Sequence, residues 1–411
     1  MQNVILIAGY TRSIYLEIIR EYFSNKDILL ACAYTREPKT EKKVAYLEEF
    51  DLLFNLNQPA DIDKLQHITE RVELVTCTQE RDMPTYIKTL ELCGKITKEQ
   101  AKLYTIAIDK SAFKTQISKQ HPHLVPKMHI IDDALLTKLD TLSYPQVIKP
   151  SGLAGSILIN IVNSPEEFRK HYEEFSANMQ QIGNESYGKS IDIITEEYIE
   201  GPQYSVNVYI DKDQRITSCP ISRIVTPQEM GEDDSYSALQ YSTNELTADS
   251  FEALKRSVQT VVEYFDIRDT SAHFDSVLHP TGWKFFEIGL RIGGKRQELY
   301  QLSHGMNHFK NDILNRQNKE VVIPNQKATA CIVQKAATEF GNLQSISYTR
   351  TITTEKPPMI KEDKMAKIGS DVMPLKKGGG TIARHFIWGE NENEVIEAGK
   401  TLFNSIKFDT T

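Results

Sequence analysis

Residues 270–294 read Thr-Ser-Ala-His-Phe-Asp-Ser-Val-Leu-His-Pro-Thr-Gly-Trp-Lys-Phe-Phe-Glu-Ile-Gly-Leu-Arg-Ile-Gly-Gly. Two runs within it, 271–278 and 283–288, alternate as strands do, and the His-Pro-Thr-Gly between them suits a tight reversal. Paired as a hairpin, they set Asp275 and Glu287 side by side on one face. Two adjacent carboxylates repel unless a cation lies between them. Hard oxygen ligands that leave most of a coordination shell open are how proteins hold Mg²⁺ against nucleotide phosphates. Arg291 follows Glu287 by four residues, and Gly293 and Gly294 let backbone approach a ligand closely. The same residues also suit an ordinary solvated hairpin whose charged face carries no chemistry. The rest of the chain decides between the two.

A chain of 411 residues suits roughly two to three packed domains. Its 40% apolar and 25% charged content is ordinary for a globular protein. A formal charge of −8 with no basic block argues against nucleic-acid binding, which needs cations to release phosphate counterions. Cys32, Cys77, Cys93, Cys219 and Cys331 are scattered without a CxxC spacing, so neither a zinc site nor a disulfide framework is expected. The opening MQNVILIAGY holds an apolar run too short, and without the basic flank, for a secretion signal. No stretch reaches the length of a membrane span. The expectation is a cytoplasmic protein with no membrane or nucleic-acid partner.

Residues 3–8 form an apolar strand ending at Gly9, with a helical pattern behind it, and 27–34, 52–56 and 72–77 repeat the alternation. That order predicts a parallel βαβ domain. Ligands of such sheets lie beyond the carboxyl ends of the strands, here the loops 9–13 and 76–81. The first turn, Ala-Gly-Tyr-Thr-Arg-Ser, lacks GxGxxG, which disfavours a dinucleotide-binding dehydrogenase. From 96 to 120 the chain reads as helix and contains Asp-Lys-Ser-Ala-Phe-Lys at 109–114, with Lys110 and Lys114 on one face. Lysines so placed are commonly just solvated. Strand 144–150 (YPQVIKP) then carries Lys149 into Ser-Gly-Leu-Ala-Gly-Ser at 151–156 and a second strand from 157 to 162. Such a small-residue loop with a lysine at its root can offer backbone N–H groups to phosphates, or be a flexible hairpin. After a helix capped by Ser164, strands 191–199 and 203–210 are expected to meet at the turn Glu200-Gly201-Pro202. Loop 227–236 is acidic and reads equally as a lid or a solvated loop. Helices are expected at 248–265, 307–316 and 392–403, and strands at 328–335 and 381–388. Lys-Lys-Gly-Gly-Gly at 376–380 lacks the strand–GxxxxGK[ST]–helix setting of a phosphate loop, so a hairpin turn is expected there.

Four of these pieces, in this order, resemble the ATP-grasp ligases: DKxxxK at 109–114, VIKP with its small-residue loop at 147–156, EEYIEGPQYSV at 196–206, and HFD…FFEIGLRIGG at 273–294. Within that superfamily the chain looks most like the bacterial L-amino-acid ligases of bacilysin- and rhizocticin-type pathways, which join unprotected amino acids into dipeptides. The resemblance implies a fold combining α/β and α+β parts. A parallel βαβ domain (1–95) would precede helices and a first nucleotide-binding lobe (96–210), with the phosphate loop at 151–156 and an adenine hinge at 196–201. A second lobe with the metal site and a small α+β subdomain would fill 211–411.

The resemblance also implies roles. Lys114 and Lys149 would contact ATP, and Ser151, Gly152, Gly155 and Ser156 would close over its phosphates. Glu196 and the backbone of Glu197, Tyr198 and Ile199 would hold the adenine edge, and Gln203 the ribose. Asp275 and Glu287 would bind Mg²⁺, as two ions, with Mn²⁺ as an alternative. Arg291, with Lys149, would be catalytic by stabilising an acyl-phosphate and its tetrahedral successor. His273, Gly293 and Gly294 would face substrate, though a structural histidine fits His273 as well. Two positions depart from the pattern. Gly289 stands where the superfamily often has a metal-binding Asn, and Gln203 where a ribose-binding Glu is usual. The implied reaction is ATP-dependent ligation of two amino acids, releasing ADP and phosphate. Activation of bicarbonate or another small carboxylate is the alternative, and an ATP-binding regulator without turnover the second. The acidic balance and the 227–236 loop hint at a cationic substrate. The resemblance adds a homodimer, although no stretch marks an interface.

Overall fold

The computed structural model describes residues 2–151, 158–186, 192–232, 234, 236–349, 358–377 and 379–411, with side chains of 177–186 left aside. The chain opens β1 (Asn3–Ala8), α1 (Ser13–Tyr22), β2 (Ile28–Tyr34), α2 (Glu41–Leu47), β3 (Leu52–Asn55), α3 (Pro59–Gln66), β4 (Val72–Thr76), α4 (Met83–Leu92). These four strands make one parallel sheet in the order β3-β2-β1-β4. From Val4 to Ala8 every side chain is buried, as a parallel strand covered on both faces requires. One face packs α1 against Phe309 and Ile313. The other lies on α4 and, through Tyr86, Tyr104 and Phe113, merges with the core beneath Val206, Phe274 and Phe285.

The expected helix at 96–120 is two helices, α5 (Lys98–Ile108) and α6 (Lys110–Ile117). Asp109 breaks them apart because its carboxylate accepts the amides of Ser111 and Ala112 (3.0 Å each) and so caps the second. The first lobe follows: β5 (Met128–Ile130), α7 (Asp133–Leu136), β6 (Gln146–Pro150), β7 (Asn160–Val162), α8 (Pro165–Ser186) and β8 (Ile193–Glu197). Its strands form an antiparallel sheet in the order β5-β8-β6-β7. β6 and β7 flank the small-residue loop as expected, but Gly152, Gly155 and Ser156 lie outside the described residues.

The remainder runs β9 (Gln203–Ile210), β10 (Ile216–Ser218), β11 (Ser222–Val225), β12 (Leu239–Ser242), α9 (Ala248–Tyr264), β13 (Thr270–His279), β14 (Gly282–Gly289), α10 (Arg296–His304), α11 (His308–Arg316). It ends in β15 (Thr329–Ala336), β16 (Gly341–Tyr348), β17 (Met359–Met365), β18 (Asp371–Val372), β19 (Thr381–Gly389), α12 (Glu392–Ser405) and β20 (Ile406–Thr410). One large sheet runs β14-β13-β9-β11-β12-β15-β19-β17, with β10 beside β9, and β18-β16-β20 form a small one. The architecture is the mixed parallel and antiparallel α/β arrangement of a multidomain ATP-grasp fold.

Two local expectations are corrected. β8 and β9 do not meet as a hairpin, because they belong to different sheets. Gly201 (φ +147°) passes so close to the Leu278 carbonyl that the segment 198–202 is a crossing between lobes, with no room for a side chain. On this pairing we propose that the first lobe ends in that segment, since β9 pairs with β11 and β13. The Lys376–Lys377 turn is not a hairpin either. It leaves β18, which pairs with β16, and enters β19, which pairs with β15 and β17. There it meets the first lobe: the Leu158 amide donates to the Leu375 carbonyl (3.2 Å), and Lys377 pairs with Glu174 (2.6 Å). Among the described residues, no helix is long and apolar enough to cross a membrane.

Candidate active site

α6 begins beside the large sheet, and its two lysines, one turn apart, reach different partners. Lys114 lies 2.7 Å from Glu196 of β8, and Lys149 of β6 approaches the other oxygen of the same carboxylate at 2.9 Å. All three are buried. Lys149 and Glu196 are diagonal neighbours on one face of the β6–β8 ladder, in which Glu196 pairs with Val147. Two ammonium groups thus share one carboxylate in a place with little water. Burial disfavours the Glu196 charge, but Lys114 and Lys149 hold its carboxyl below the ordinary range. Burial pushes the Lys114 ammonium down to about 8 despite Glu196. A buried cluster left with one net positive charge has a standing attraction for an anion.

The opening hairpin stands opposite. Asp275 and Glu287 are paired residues of β13 and β14, so their side chains share a face. A bulge just beyond Asp275 shifts the register and leaves Phe286 facing Lys149, whose ammonium lies 5.7 Å from the ring centre. The bulge therefore brings carboxylate pair and lysine cluster together. Burial and the Glu287 charge raise the Asp275 carboxyl. Glu287 goes the other way: burial opposes its charge, yet Lys110, 2.8 Å away, holds its carboxyl well down. Among the described residues no group of three or more His, Cys, Asp or Glu could hold a metal ion by itself. Two carboxylates fit Mg²⁺ only where phosphate oxygens and water complete the shell, which is the way Mg²⁺ is commonly held against nucleotides.

His273 is buried on the same strand, with Nδ1 3.3 Å from the Arg291 carbonyl. Its ring fills the space over Gly289, where a Cβ would overlap it. The glycine that departs from the superfamily pattern is thus matched by the histidine facing it. Arg291 donates to Glu80 from Nε (2.9 Å) and Nη2 (2.5 Å), which ties the hairpin to the loop after β4. The Gly293 amide donates to Asn207 Oδ1 (2.8 Å), and a Cβ on Gly293 would stand 2.7 Å from that oxygen. Gly294 faces open space.

The hinge residues are partly engaged. The Glu197 amide donates to the Lys127 carbonyl (2.9 Å) and the Tyr198 amide to that of Pro145 (3.1 Å). Of the three amides expected at an adenine edge, only that of Ile199 lacks a partner among the described residues. Gln203 opens β9, and its carbonyl accepts from Arg223 (3.2 Å). Ser151 is buried, its amide bonded to the Asp192 carbonyl (2.9 Å). Sequence reading gave no role to Lys110, Glu80 or Asn207, although it set Lys110 on the face of Lys114 and included Glu80 in the 76–81 loop. Lys110 had a signal in hand, because an Asp cap fixes it as the first helical residue on the face of Lys114. Glu80 had its place in the 76–81 loop but nothing to name Arg291 as its partner, and Asn207 had no signal, since their partners are distant in sequence.

Residues 142–298 match the family model described as an ATP-grasp domain. Among solved structures, the chain is similar to an L-amino acid ligase from Bacillus licheniformis, with TM-score 0.73, 16% identity, and 100% and 99% of the two chains covered. It is also similar to the biotin carboxylase domain of the 2-oxoglutarate carboxylase of Hydrogenobacter thermophilus, solved with MgADP and bicarbonate (TM-score 0.62, 15% identity, 100% and 91% covered). N5-carboxyaminoimidazole ribonucleotide synthetase from Thermotoga maritima is a third (TM-score 0.63, 12% identity, 100% of both chains). No curated protein matches the sequence. Over residues 142–298 the chain is thus similar to an ATP-grasp domain, and the solved structures extend the likeness of fold to the whole chain. These likenesses speak for the fold, and they span both amino-acid ligases and carboxylases.

Proposed function

We propose that this protein uses ATP to activate a small carboxylate, bicarbonate among the candidates, as a phosphoryl intermediate that a nucleophile then opens. One observation carries the reading: the buried Lys114–Lys149–Glu196 cluster, short of one negative charge, stands across from the Asp275–Glu287 pair. The lysines hold nucleotide phosphates, and the carboxylate keeps both ammonium groups placed. Asp275 and Glu287 would hold Mg²⁺, which when bound would neutralise phosphate charge. A carboxylate oxygen of the substrate attacks the γ-phosphorus, the bond to ADP breaks, and positioning with charge neutralisation supplies most of the catalysis. Arg291, kept in place by Glu80, offers its guanidinium to the oxyanion formed when the nucleophile adds. The adduct then expels inorganic phosphate.

Peptide-bond formation between two L-amino acids is the narrower version, in which the nucleophile is a second amino acid's amine. It is supported by the order of the sequence motifs and by the amino-acid ligase among the similar structures. The carboxylases and carboxyaminoimidazole synthetases beside it support bicarbonate as substrate. A homodimer belongs to the same reading and is checked by light scattering.

The deciding assay is phosphate release from ATP with Mg²⁺, over free L-amino acids singly and in pairs, then bicarbonate and other small acids, with mass spectrometry. Release that needs a pair, with a product of the two masses less water, assigns a dipeptide ligase. Release that needs bicarbonate assigns the carboxylase reading. Tight ATP binding without release in any mixture sinks both and leaves a regulator.

A further inference from the structure

A second group of charges collects where the N-terminal domain, the loop after β14 and the C-terminal strands meet. Lys295 follows Gly294 in the left-handed conformation (φ +63°) and precedes α10. Its ammonium lies 3.6 Å from Asp363 of β17, which also accepts from Arg384 of β19 at 2.6 Å. From the other side Arg12, between β1 and α1, pairs with Glu298 in the first turn of α10. Three cations therefore share two carboxylates, which leaves local positive charge on a chain that is −8 overall. The crowding is physical: burial, then Arg384 and Arg12, lowers the proton affinity of Lys295. Beside it, Glu298 Oε2 is buried without a hydrogen-bond partner among the described residues. An under-compensated ammonium and an acceptor lacking a donor thus stand together, directly after the Arg291–Gly294 segment that borders the reaction site.

We propose that this cluster receives an acidic amino acid, with the side-chain carboxylate on Lys295 and Arg384. The proposal rests on the ligase reading above and names its substrate class. It also reverses the cationic substrate suggested by the net charge, because total charge does not describe a pocket. Side-chain carboxylates take charge-assisted hydrogen bonds that the matching amides do not, so acid and amide should be told apart.

Calorimetry on the full chain with ADP and Mg²⁺ compares L-glutamate with L-glutamine and L-aspartate with L-asparagine. At least one acid is expected to bind about tenfold or more tightly than its amide. Lys295→Met should bring that ratio near one, and Lys295→Arg should keep it. Equal binding of acid and amide, binding of neither, or a preference that survives Lys295→Met overturns the proposal. Phosphate release measured alongside separates the two readings. Release with neutral carboxylates but no acid preference sinks only the acidic substrate. Acid preference without release in any mixture sinks the ligase reading and leaves the binding site standing.

Discussion

Lys114 is a lysine made to titrate near neutrality by its surroundings. Burial brings its pKa to about 8, whereas an exposed lysine keeps its proton to about 10.4. Phosphate binding needs the charged form. In the free protein that form predominates below about pH 8, is half gone near it and is lost above it, so nucleotide affinity should fall by up to about tenfold per pH unit beyond that point. Calorimetric titration with ADP across this range checks it, and Lys114→Arg should flatten the profile. Gly289 makes a second residue-scale case. Its missing side chain is the room taken by the His273 ring, and overfilling a packed site costs about 1–3 kcal/mol. Gly289→Ala should lower stability by that order in urea unfolding, and by less in a His273→Ala background, because the two positions touch.

At the scale of elements, α6 depends on one cap. Asp109 Oδ1 accepts two amides and the Ser111 hydroxyl. The helix has 8 residues, too short to persist without tertiary support. Loss of an Asp cap costs about 0.5–2 kcal/mol. Because Lys110 and Lys114 ride on that helix, Asp109→Ala should lower the melting temperature and also weaken ADP binding. Weaker binding at unchanged stability, or the reverse, would separate cap from site. The sequence carried the capping signal but not the break at 109, since helical periodicity continues across it. Of the hairpin of 270–294, the strands and the turn were legible from alternation, but the register set by the turn alone would put Asp275 opposite Phe286, and a bulge is what brings Glu287 to it. That bulge was not legible, and it turns Phe286 toward Lys149.

At the scale of the molecule, the N-terminal sheet is riveted to the large one by a buried ion pair. Arg316 of α11 donates to Asp312 (3.0 Å), which accepts from Thr76 of β4 (2.9 Å) and from Ser271 of β13. Arg316 also bonds Tyr86 of α4 and Thr270. Arg316→Met would leave the buried Asp312 charge without its cation, with only the Thr76 and Ser271 hydroxyls donating to it, at a cost of about 3–5 kcal/mol. Chemical denaturation should show that loss with the nucleotide site's partners unchanged. A loss below about 1 kcal/mol would mean that water reaches the pair. This junction also holds the arginine proposed as catalytic, because Glu80 lies on the N-terminal side and its partner Arg291 on the other, 211 residues along the chain.

By itself the sequence determined the elements and the residue types of the site. Apolar runs between helical stretches specify a parallel N-terminal sheet, alternation specifies the two strands of the β13–β14 hairpin, and four motifs in order carry the resemblance to the ATP-grasp ligases. Each is local, resting on periodicity, caps and turn residues within a few positions. Only the tertiary structure decided that β8 and β9 part into different sheets, that Glu196 is shared by Lys114 and Lys149, that Lys110 belongs to Glu287, and that Glu80 holds Arg291. Those facts depend on which surfaces pack together. Packing is set by burial summed over the whole chain, and no window of residues contains it.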